Sequence, residues 1–235
     1  MMFTTKRFAT IIRTLSTRSV PSLDETGMAV LDEFIHPDFL AELRASVEQL
    51  TPLCYEGEKR KYLSGHELEH TGFYEVRFSE FTIQLVNDIL ADFNIHLDAS
   101  DIHPVLNILV GEKGQDSVKG WHFDATYLTI AMPVVMPPPG DRDGKFRIWP
   151  NVRPFSQSSW RNQLYCKLAK SGLLPRVAKN YAVNFIPGNL YLFYGFRSYH
   201  GTDSLDATQL RANCLMNYGG PFFDLQKGKP IRYAK

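Results

Sequence analysis

The feature that most constrains the fold is a change in hydrophobic period near residue 104. Before that point, apolar residues recur at spacings of three and four, the period of an amphipathic helix. Beyond it they form short runs bounded by Gly, Pro and Asp clusters, which is typical of strands. The predicted strands are 104–110, 120–131, 144–149, 181–185, 189–194, 199–203 and 210–218. This order favours a mainly β barrel or jelly roll with flanking helices over alternating βα units.

Two helices are predicted ahead of these strands. The first follows a short strand over 27–34, begins at Pro37, where a missing N–H is tolerated, and ends before Pro52. The second lies near 80–93. Each helix has one predicted buried face, formed by Phe39, Leu40, Leu43, Val47 and Leu50 in the first and by Phe81, Leu85, Ile89, Leu90 and Phe93 in the second. A helical insertion is expected within the strand region, near 157–174.

Length and composition predict a single domain over residues 25–235, preceded by a basic segment over 1–24. With 235 residues and 44% hydrophobic content, the chain can bury one sizeable core. The first 23 residues hold four basic residues, eight Ser or Thr and no acid, the composition of a mitochondrial transit peptide. The favoured interpretation is a basic segment docked on the domain of a cytoplasmic protein, with a mitochondrial protein as the alternative.

Charge and cysteine content exclude several classes of partner. The 26 basic and 25 acidic residues nearly cancel, so the chain lacks the broad positive field of a nucleic-acid binder. Its three cysteines are widely and irregularly spaced, which fits neither a disulfide framework nor a zinc motif and indicates a reducing compartment. No apolar run approaches the roughly 18 to 20 residues of a membrane span. A small-molecule partner is expected.

One short motif combines metal-binding residue types. In the string G-W-H-F-D at 120–124, His122 and Asp124 are two residues apart, so on a strand they share one face with Cα atoms roughly 6.5 Å apart. A third ligand should come from a distant strand, and His200, in Y-H-G-T at 199–202, lies in such a strand. Two imidazoles and one carboxylate on one side of a metal leave other positions open, as non-haem iron oxygenases require.

A cation and three amides are predicted to face the same interior. Arg211 follows His200 by eleven residues, across a polar turn that can reverse the chain, so antiparallel pairing would place it beside the metal strand. A buried guanidinium needs a partner, and its planar fork matches a carboxylate in two-point contact. By period-two alternation, Asn213 and Asn217 share the face of Arg211, and Asn107 turns inward on the preceding strand.

The pattern H-x-D, a distal His and, after ten further residues, an Arg resembles the motif of the 2-oxoglutarate- and Fe(II)-dependent oxygenases. The strand over 27–34 and the amphipathic helix after it also resemble the starts of phytanoyl-CoA-hydroxylase-like and small-molecule hydroxylase members. The resemblance covers about residues 25–220 and is specific at four of them, which are His122, Asp124, His200 and Arg211. It implies a double-stranded β-helix, a jelly roll of cupin-like form.

The resemblance also implies roles for these residues. The implied Fe(II) ligands are His122, Asp124 and His200, and Arg211 is the implied partner of the distal carboxylate of 2-oxoglutarate. Two inward amides are assigned to the same cosubstrate, Asn213 and Asn107. The acid at Asp124 argues against the halogenase branch, where a small residue vacates that position.

The implied activity is that of a 2-oxoglutarate-dependent dioxygenase. Such an enzyme consumes O2 and hydroxylates, or otherwise oxidises, a substrate C–H bond, with release of succinate and CO2. The sequence leaves two alternative functions open. One is hydroxylation of a protein side chain, and the other is a non-catalytic cupin-like barrel that only binds metal.

The substrate pocket is expected at three segments, 55–80, 136–143 and 157–174. Nearby basic residues favour a small anionic substrate, such as an amino acid or a biosynthetic intermediate with a carboxylate; these are Arg147, Arg153 and Arg161. Arg77 and Tyr127 are candidate substrate contacts. The simpler interpretation of Arg77 is a surface ion pair, and that of Tyr127 is outward packing beside Trp121 and Phe123. His66 and His70 are interpreted as solvated loop residues, because no third ligand lies near them in sequence.

Overall fold

The computed structural model describes residues 23–56, 61–77, 79–91, 102–110, 121–156, 158–206 and 208–219. Its helices are α1 (Leu23–Thr26), α2 (Pro37–Leu50), α3 (Gly72–Arg77), α4 (Glu80–Leu90), α5 (Ser159–Lys170) and α6 (Leu173–Val177). Its strands are β1 (Ala29–Leu31), β2 (Tyr55–Glu56), β3 (Lys61–Ser64), β4 (Ile102–Val110), β5 (Leu128–Val135), β6 (Phe146–Trp149), β7 (Tyr181–Val183), β8 (Leu190–Phe193), β9 (Tyr199–Thr202) and β10 (Leu210–Tyr218). Within these ranges no helix has the length and apolarity to span a membrane.

The strands form two antiparallel sheets. The major sheet has the order β1-β8-β5-β10-β4-β3-β2, and the minor sheet has the order β7-β6-β9. Strand β10 is central in the major sheet, since it pairs with β4 on one side and with β5 on the other. The predicted mainly β architecture with flanking helices is confirmed.

Helices α2, α3 and α4 pack on one face of the major sheet. Helix α2 begins at Pro37, and the side chain of His36 accepts a hydrogen bond from the backbone N–H of Asp38. Helix α4 is capped by the Ser79 hydroxyl, which accepts from the N–H of Thr82. The main core lies between these helices and the sheet, and its members include Leu43, Val47, Val86, Leu90, Leu106, Ile108, Ile130, Met132, Ala212, Cys214 and Met216.

Two smaller clusters lie on either side of the minor sheet. Between the sheets, the major sheet contributes Ala131, Tyr191 and Phe193, and the opposing side contributes Phe146, Ile148 and Phe185. Behind the minor sheet, Trp149 and Tyr199 pack against Ala169 of α5 and Leu174 of α6. The helical insertion therefore covers the back of the sheet whose front faces the interior.

The prediction of one strand over 120–131 is wrong. Only His122 makes a bridge, and the chain bends before β5 begins at Leu128. The backbone N–H of Asp124 donates to the Gly195 carbonyl, and that of Tyr127 donates to the Gly219 carbonyl, so this segment does not join a continuous strand ladder. Strand β5 extends through Pro133, opposite a register shift in β10, where a missing N–H is tolerated.

Other predicted boundaries need smaller corrections. In α4 the fully buried positions are Thr82, Val86 and Leu90. Of the predicted face, Leu90 is buried, Leu85 and Ile89 are partly buried against the core, and Phe81 is 39% exposed. Phe93 lies outside the described residues. The β2–β3 hairpin, which extends the major sheet beyond β4, was not predicted, because each of its strands is only two to four residues long. The N-terminal segment over 1–24 lies outside the described residues except for its last two.

Truncation of a buried leucine in α2 tests the main core. Leu43 has no exposed surface, so Leu43→Ala should lower the free energy of unfolding by about 2 to 5 kcal/mol through lost apolar burial and the cavity that remains. Leu53 is 67% exposed, and Leu53→Ala should change that free energy by less than about 0.5 kcal/mol. Urea unfolding followed by circular dichroism measures both, and equal effects would contradict this packing.

Candidate active site

Three side chains from two distant parts of the chain meet in one cluster. The ligand atoms of His122, Asp124 and His200 all lie within 4.8 Å of one another. Asp124 Oδ1 is 3.2 Å from Nε2 of His122 and 3.5 Å from Nε2 of His200. The side chain of His122 is half exposed, at 51%, whereas those of Asp124 and His200 are 15% and 7% exposed. The cluster is thus open to solvent on one side only.

A short backbone bridge brings the two histidines together. The N–H of His122 donates to the carbonyl of His200 at 2.9 Å, and the N–H of His200 donates to the carbonyl of His122 at 3.0 Å. Because these residues face each other across the bridge, their imidazole centroids are 4.7 Å apart. The ring of His200 also contacts Phe146 and Phe193 of the inter-sheet cluster, which places it in the interior.

The Asp124 carboxylate is held by one of its two oxygens. Oδ2 accepts a hydrogen bond from the Thr129 hydroxyl at 2.5 Å, while Oδ1 faces the two imidazoles. The backbone of Gly195 lies directly against this carboxylate, and a Cβ atom at that position would overlap both Asp124 and Thr129. The bend before β5 therefore leaves Oδ1 as the oxygen that is available to a metal.

Hydrogen bonding orients the imidazole of His200. Nδ1 lies 2.9 Å from the carbonyl oxygen of Ser198, which can only accept, so Nδ1 is the donor of this bond and Nε2 faces Asp124. This is the carbonyl–histidine arrangement that orients metal-binding imidazoles. Burial would raise the pKa of the Asp124 carboxyl, but His200 and His122 beside it hold that pKa well below its usual range.

The donor set suits a divalent transition metal. Two imidazole nitrogens and one carboxylate oxygen converge from one side, and such a set leaves further coordination positions open to other ligands. One histidine is exposed, so a small molecule can approach the centre from solvent. The residues present therefore fit a non-haem metal ion.

Arg211 is a buried cation beside this cluster. It is 2% exposed, and its Nη1 donates to the Thr202 hydroxyl at 2.6 Å. Thr202 lies two residues beyond His200 on β9, so both point to the same face. Burial lowers the pKa of Arg211 to about 10, and no described carboxylate lies within ion-pair distance. Its buried Nε has no hydrogen-bond partner among the described residues.

Amides line the same inner face of β10 and β4. Asn213 and Asn107 pair directly across the two strands, and both are buried, at 4% and 5% exposure. The Oδ1 atom of Asn107 has no hydrogen-bond partner within the described part of the chain. The side-chain oxygen of Asn217 lies 3.4 Å from the Thr129 hydroxyl that holds Asp124. The predicted inward alternation thus brings these amides to one face with Arg211.

Other sequence candidates are not brought to the cluster. The ring of Tyr127 packs on Phe155 at 5.0 Å, and no hydrogen bond or ring contact joins it to the three clustered residues. The side chain of Arg77, at the end of α3, lies outside the described residues, as does that of His66. His70 is exposed.

The basic residues expected at the pocket mouth have other contacts. Arg147 makes an ion pair with Asp203 through Nε, at 2.7 Å, and Arg161 lies over the exposed ring of Trp160. Arg153 is buried between two aromatic rings. Arg147 and Arg153 therefore both have partners within the protein, and an anionic substrate stays a prediction.

Several residues that shape the site were not found from the sequence. Thr129, Gly195, Ser198 and Thr202 act by hydrogen bonding or close approach to the clustered side chains or to Arg211. Thr202 was recognisable in one respect, since it is a polar residue on the same face of a predicted strand as His200. Thr129 was not, because in the predicted strand over 120–131 it lies on the face opposite to His122 and Asp124. The contacts of Gly195 and Ser198 depend on how the turn before β9 folds over Asp124.

No protein-family model and no curated protein matches the sequence. Solved structures do match. A prolyl-4-hydroxylase from Pseudomonas putida is 11% identical with a TM-score of 0.59, over 85% of this chain and 95% of that one. The non-haem α-ketoglutarate-dependent epimerase SnoN from nogalamycin biosynthesis is 12% identical with a TM-score of 0.61, over 91% and 87%. EctD from S. alaskensis with bound Fe is 16% identical with a TM-score of 0.58, over 89% and 81%.

At these identities the likeness concerns the fold. Each match extends over 85% to 91% of this chain. The chain has the double-stranded β-helix fold expected from the sequence, and its His-Asp-His cluster lies at the open edge of the space between the two sheets.

Proposed function

We propose that the protein is a non-haem Fe(II)- and 2-oxoglutarate-dependent dioxygenase that hydroxylates a small organic molecule. When bound, iron and 2-oxoglutarate supply the oxidation of a substrate C–H bond by O2, with release of succinate and CO2. His122, Asp124 and His200 hold the metal. The chain contributes the ligand geometry, a mostly buried pocket and the orientation of both substrates.

The observation that carries this proposal is the orphaned guanidinium of Arg211. A buried cation without a carboxylate is costly, and a ligand carboxylate on the open Nε and a neighbouring N–H would complete its fork. Arg211 and the metal cluster are linked through Thr202 and His200 on one strand face. A short dicarboxylate whose other end chelates the metal would supply this carboxylate, and 2-oxoglutarate is such a molecule.

Asn213 and Asn107 are proposed as further contacts to the cosubstrate. Their amides lie on the inner face shared with Arg211, and the unpartnered oxygen of Asn107 indicates that a polar ligand completes its hydrogen bonding.

For the substrate we propose a small molecule, with carboxylate-bearing amino acids and biosynthetic intermediates as the first class to test. EctD has been solved with 2-oxoglutarate and 5-hydroxyectoine, and SnoN with Fe3+, α-ketoglutarate and nogalamycin RO. Arg77 remains a candidate for the carboxylate, while Tyr127 remains a weaker candidate contact. Hydroxylation of a protein side chain is the second candidate, because prolyl hydroxylases share this fold.

Loss of a metal ligand should abolish turnover. In the presence of ferrous iron and air, His200→Ala should reduce succinate formation from 2-oxoglutarate to background, and Asp124→Gly should reduce it strongly because the only anionic ligand is lost. His70→Ala removes an exposed histidine and serves as the matched control with unchanged turnover. Circular dichroism checks that each variant is folded. Full activity in His200→Ala would refute the assignment of the metal ligands.

Loss of the buried guanidinium should affect cosubstrate and metal differently. Removing a buried two-point charge pair costs about 2 to 5 kcal/mol, which is roughly thirty-fold to several-thousand-fold in affinity. Arg211→Ala should raise the 2-oxoglutarate concentration for half-maximal succinate formation to that extent, while iron affinity without cosubstrate stays nearly unchanged. Arg211→Lys should recover only part of the loss, because an ammonium has no planar fork.

The control for this series is Arg142→Ala. Arg142 is 44% exposed and pairs with Asp206, so its loss removes one positive charge from the same chain without emptying a buried site. Its half-saturation by 2-oxoglutarate should match the wild type. An unchanged half-saturation in Arg211→Ala would show that another residue anchors the cosubstrate.

A further inference from the structure

Arg153 is a second buried cation, and it lies behind the metal cluster. It is 4% exposed, in the segment between β6 and α5. Its guanidinium lies between two aromatic rings, 4.0 Å from the centroid of Phe123 and 3.9 Å from that of Phe196. Burial lowers its pKa to about 10, against the opposing influence of Cys166 and Asp124, so it stays cationic at neutral pH. No carboxylate in the described part of the chain lies within ion-pair distance.

The guanidinium donates to two separate segments of backbone. Nε donates to the carbonyl oxygen of Phe196, and Nη2 donates to the carbonyl oxygen of Asp124 at 3.3 Å. A third nitrogen, Nη1, has only a long contact of 4.0 Å to the sulfur of Cys166. The backbone N–H of Arg153 donates to the Arg197 carbonyl at 3.2 Å, which fixes the residue against the same turn.

These two segments position metal ligands. One segment contains Asp124 itself. The other is the turn over 194–198, whose Gly195 carbonyl accepts from the N–H of Asp124 at 3.0 Å and whose Ser198 carbonyl orients the imidazole of His200 at 2.9 Å. A displacement of this turn would therefore move both Asp124 and His200.

We propose that Arg153 is a positioning residue for the metal centre, which holds the Asp124 segment and the turn before His200 at a fixed separation. This inference rests on the proposed function. Cation–π contact with Phe123 and Phe196 offsets part of the cost of burying this charge without an acid within ion-pair distance, but it fixes neither backbone segment. Unlike a side chain that only packs between the rings, the guanidinium donates to two carbonyls at once. Its planar fork does so with little loss of side-chain entropy.

Metal affinity, measured without turnover, tests this role. Co(II) is a suitable probe because its visible absorption reports both occupancy and coordination geometry. Residues that orient metal ligands typically contribute ten- to a hundredfold to metal affinity, so Arg153→Met should weaken Co(II) binding by about that factor and alter its absorption bands. Arg153→Lys should recover part of the affinity, because one ammonium cannot bridge both carbonyls in the same way.

Arg147→Met is the matched control. It removes the same charge from β6, where Arg147 pairs with Asp203 and makes no contact with the turn over 194–198. Its Co(II) affinity and bands should equal those of the wild type. A purely structural role for Arg153 would instead lower the thermal midpoint of the metal-free protein and leave Co(II) affinity and bands unchanged, which would overturn the proposal.

Three further outcomes are decisive. If Arg153→Met does not fold, Arg153→Lys decides, since weakened Co(II) binding supports the positioning role and wild-type binding refutes it. If the wild type binds Co(II) and His200→Ala does not, the metal site is supported. Wild-type Co(II) affinity and absorption bands in Arg153→Met would then refute the positioning role without refuting the metal site. Failure of the wild type to bind Co(II) would refute the proposed metal site, and the positioning role with it.

Discussion

Strand β10 pairs with β4 on one side and with β5 on the other along nearly its whole length, so its two faces are fixed. One face, with Ala212, Cys214 and Met216, belongs to the core beneath the helices. The opposite face carries Arg211 and the amides toward the minor sheet. Because side chains alternate strictly along a strand, a shift by one residue would exchange the two sets. The burial of the core thus determines where the charged and polar residues of the site stand.

Much of the architecture could be predicted, because it follows from patterns within short stretches of sequence. The change from helical to strand period identified both main helices and the positions of the strands from β4 onward, except that it merged the segment around Asp124 with β5. The site residues were predictable for a similar reason. His122, Asp124 and Arg211 each have a residue type that is unusual in an apolar strand, and same-face spacing then limits what they can reach.

What could not be predicted depends on contacts between distant segments. The segment around Asp124 bends because its N–H groups bond to Gly195 and Gly219 and not to an adjacent strand. In α4, the packing of the helix on the sheet buries Thr82 and Val86 together with the predicted Leu90 and leaves the predicted Phe81 exposed. The sequence places Arg153 near the substrate pocket, since it does not show that Phe123 and Phe196 enclose the guanidinium.

The aromatic cluster behind the minor sheet packs between the helical insertion and the segments that bear His122 and His200. Tyr199 and Trp121 are the immediate neighbours of His200 and His122 in sequence, and both rings pack in the cluster that includes Ala169 and Leu174. Gly201 must stay small because the Trp121 ring fills the space where its Cβ would stand. Anyone who grafts a different insertion onto this barrel to change its specificity must therefore rebuild that aromatic layer as well, or the exchange will disturb the histidines on its other side.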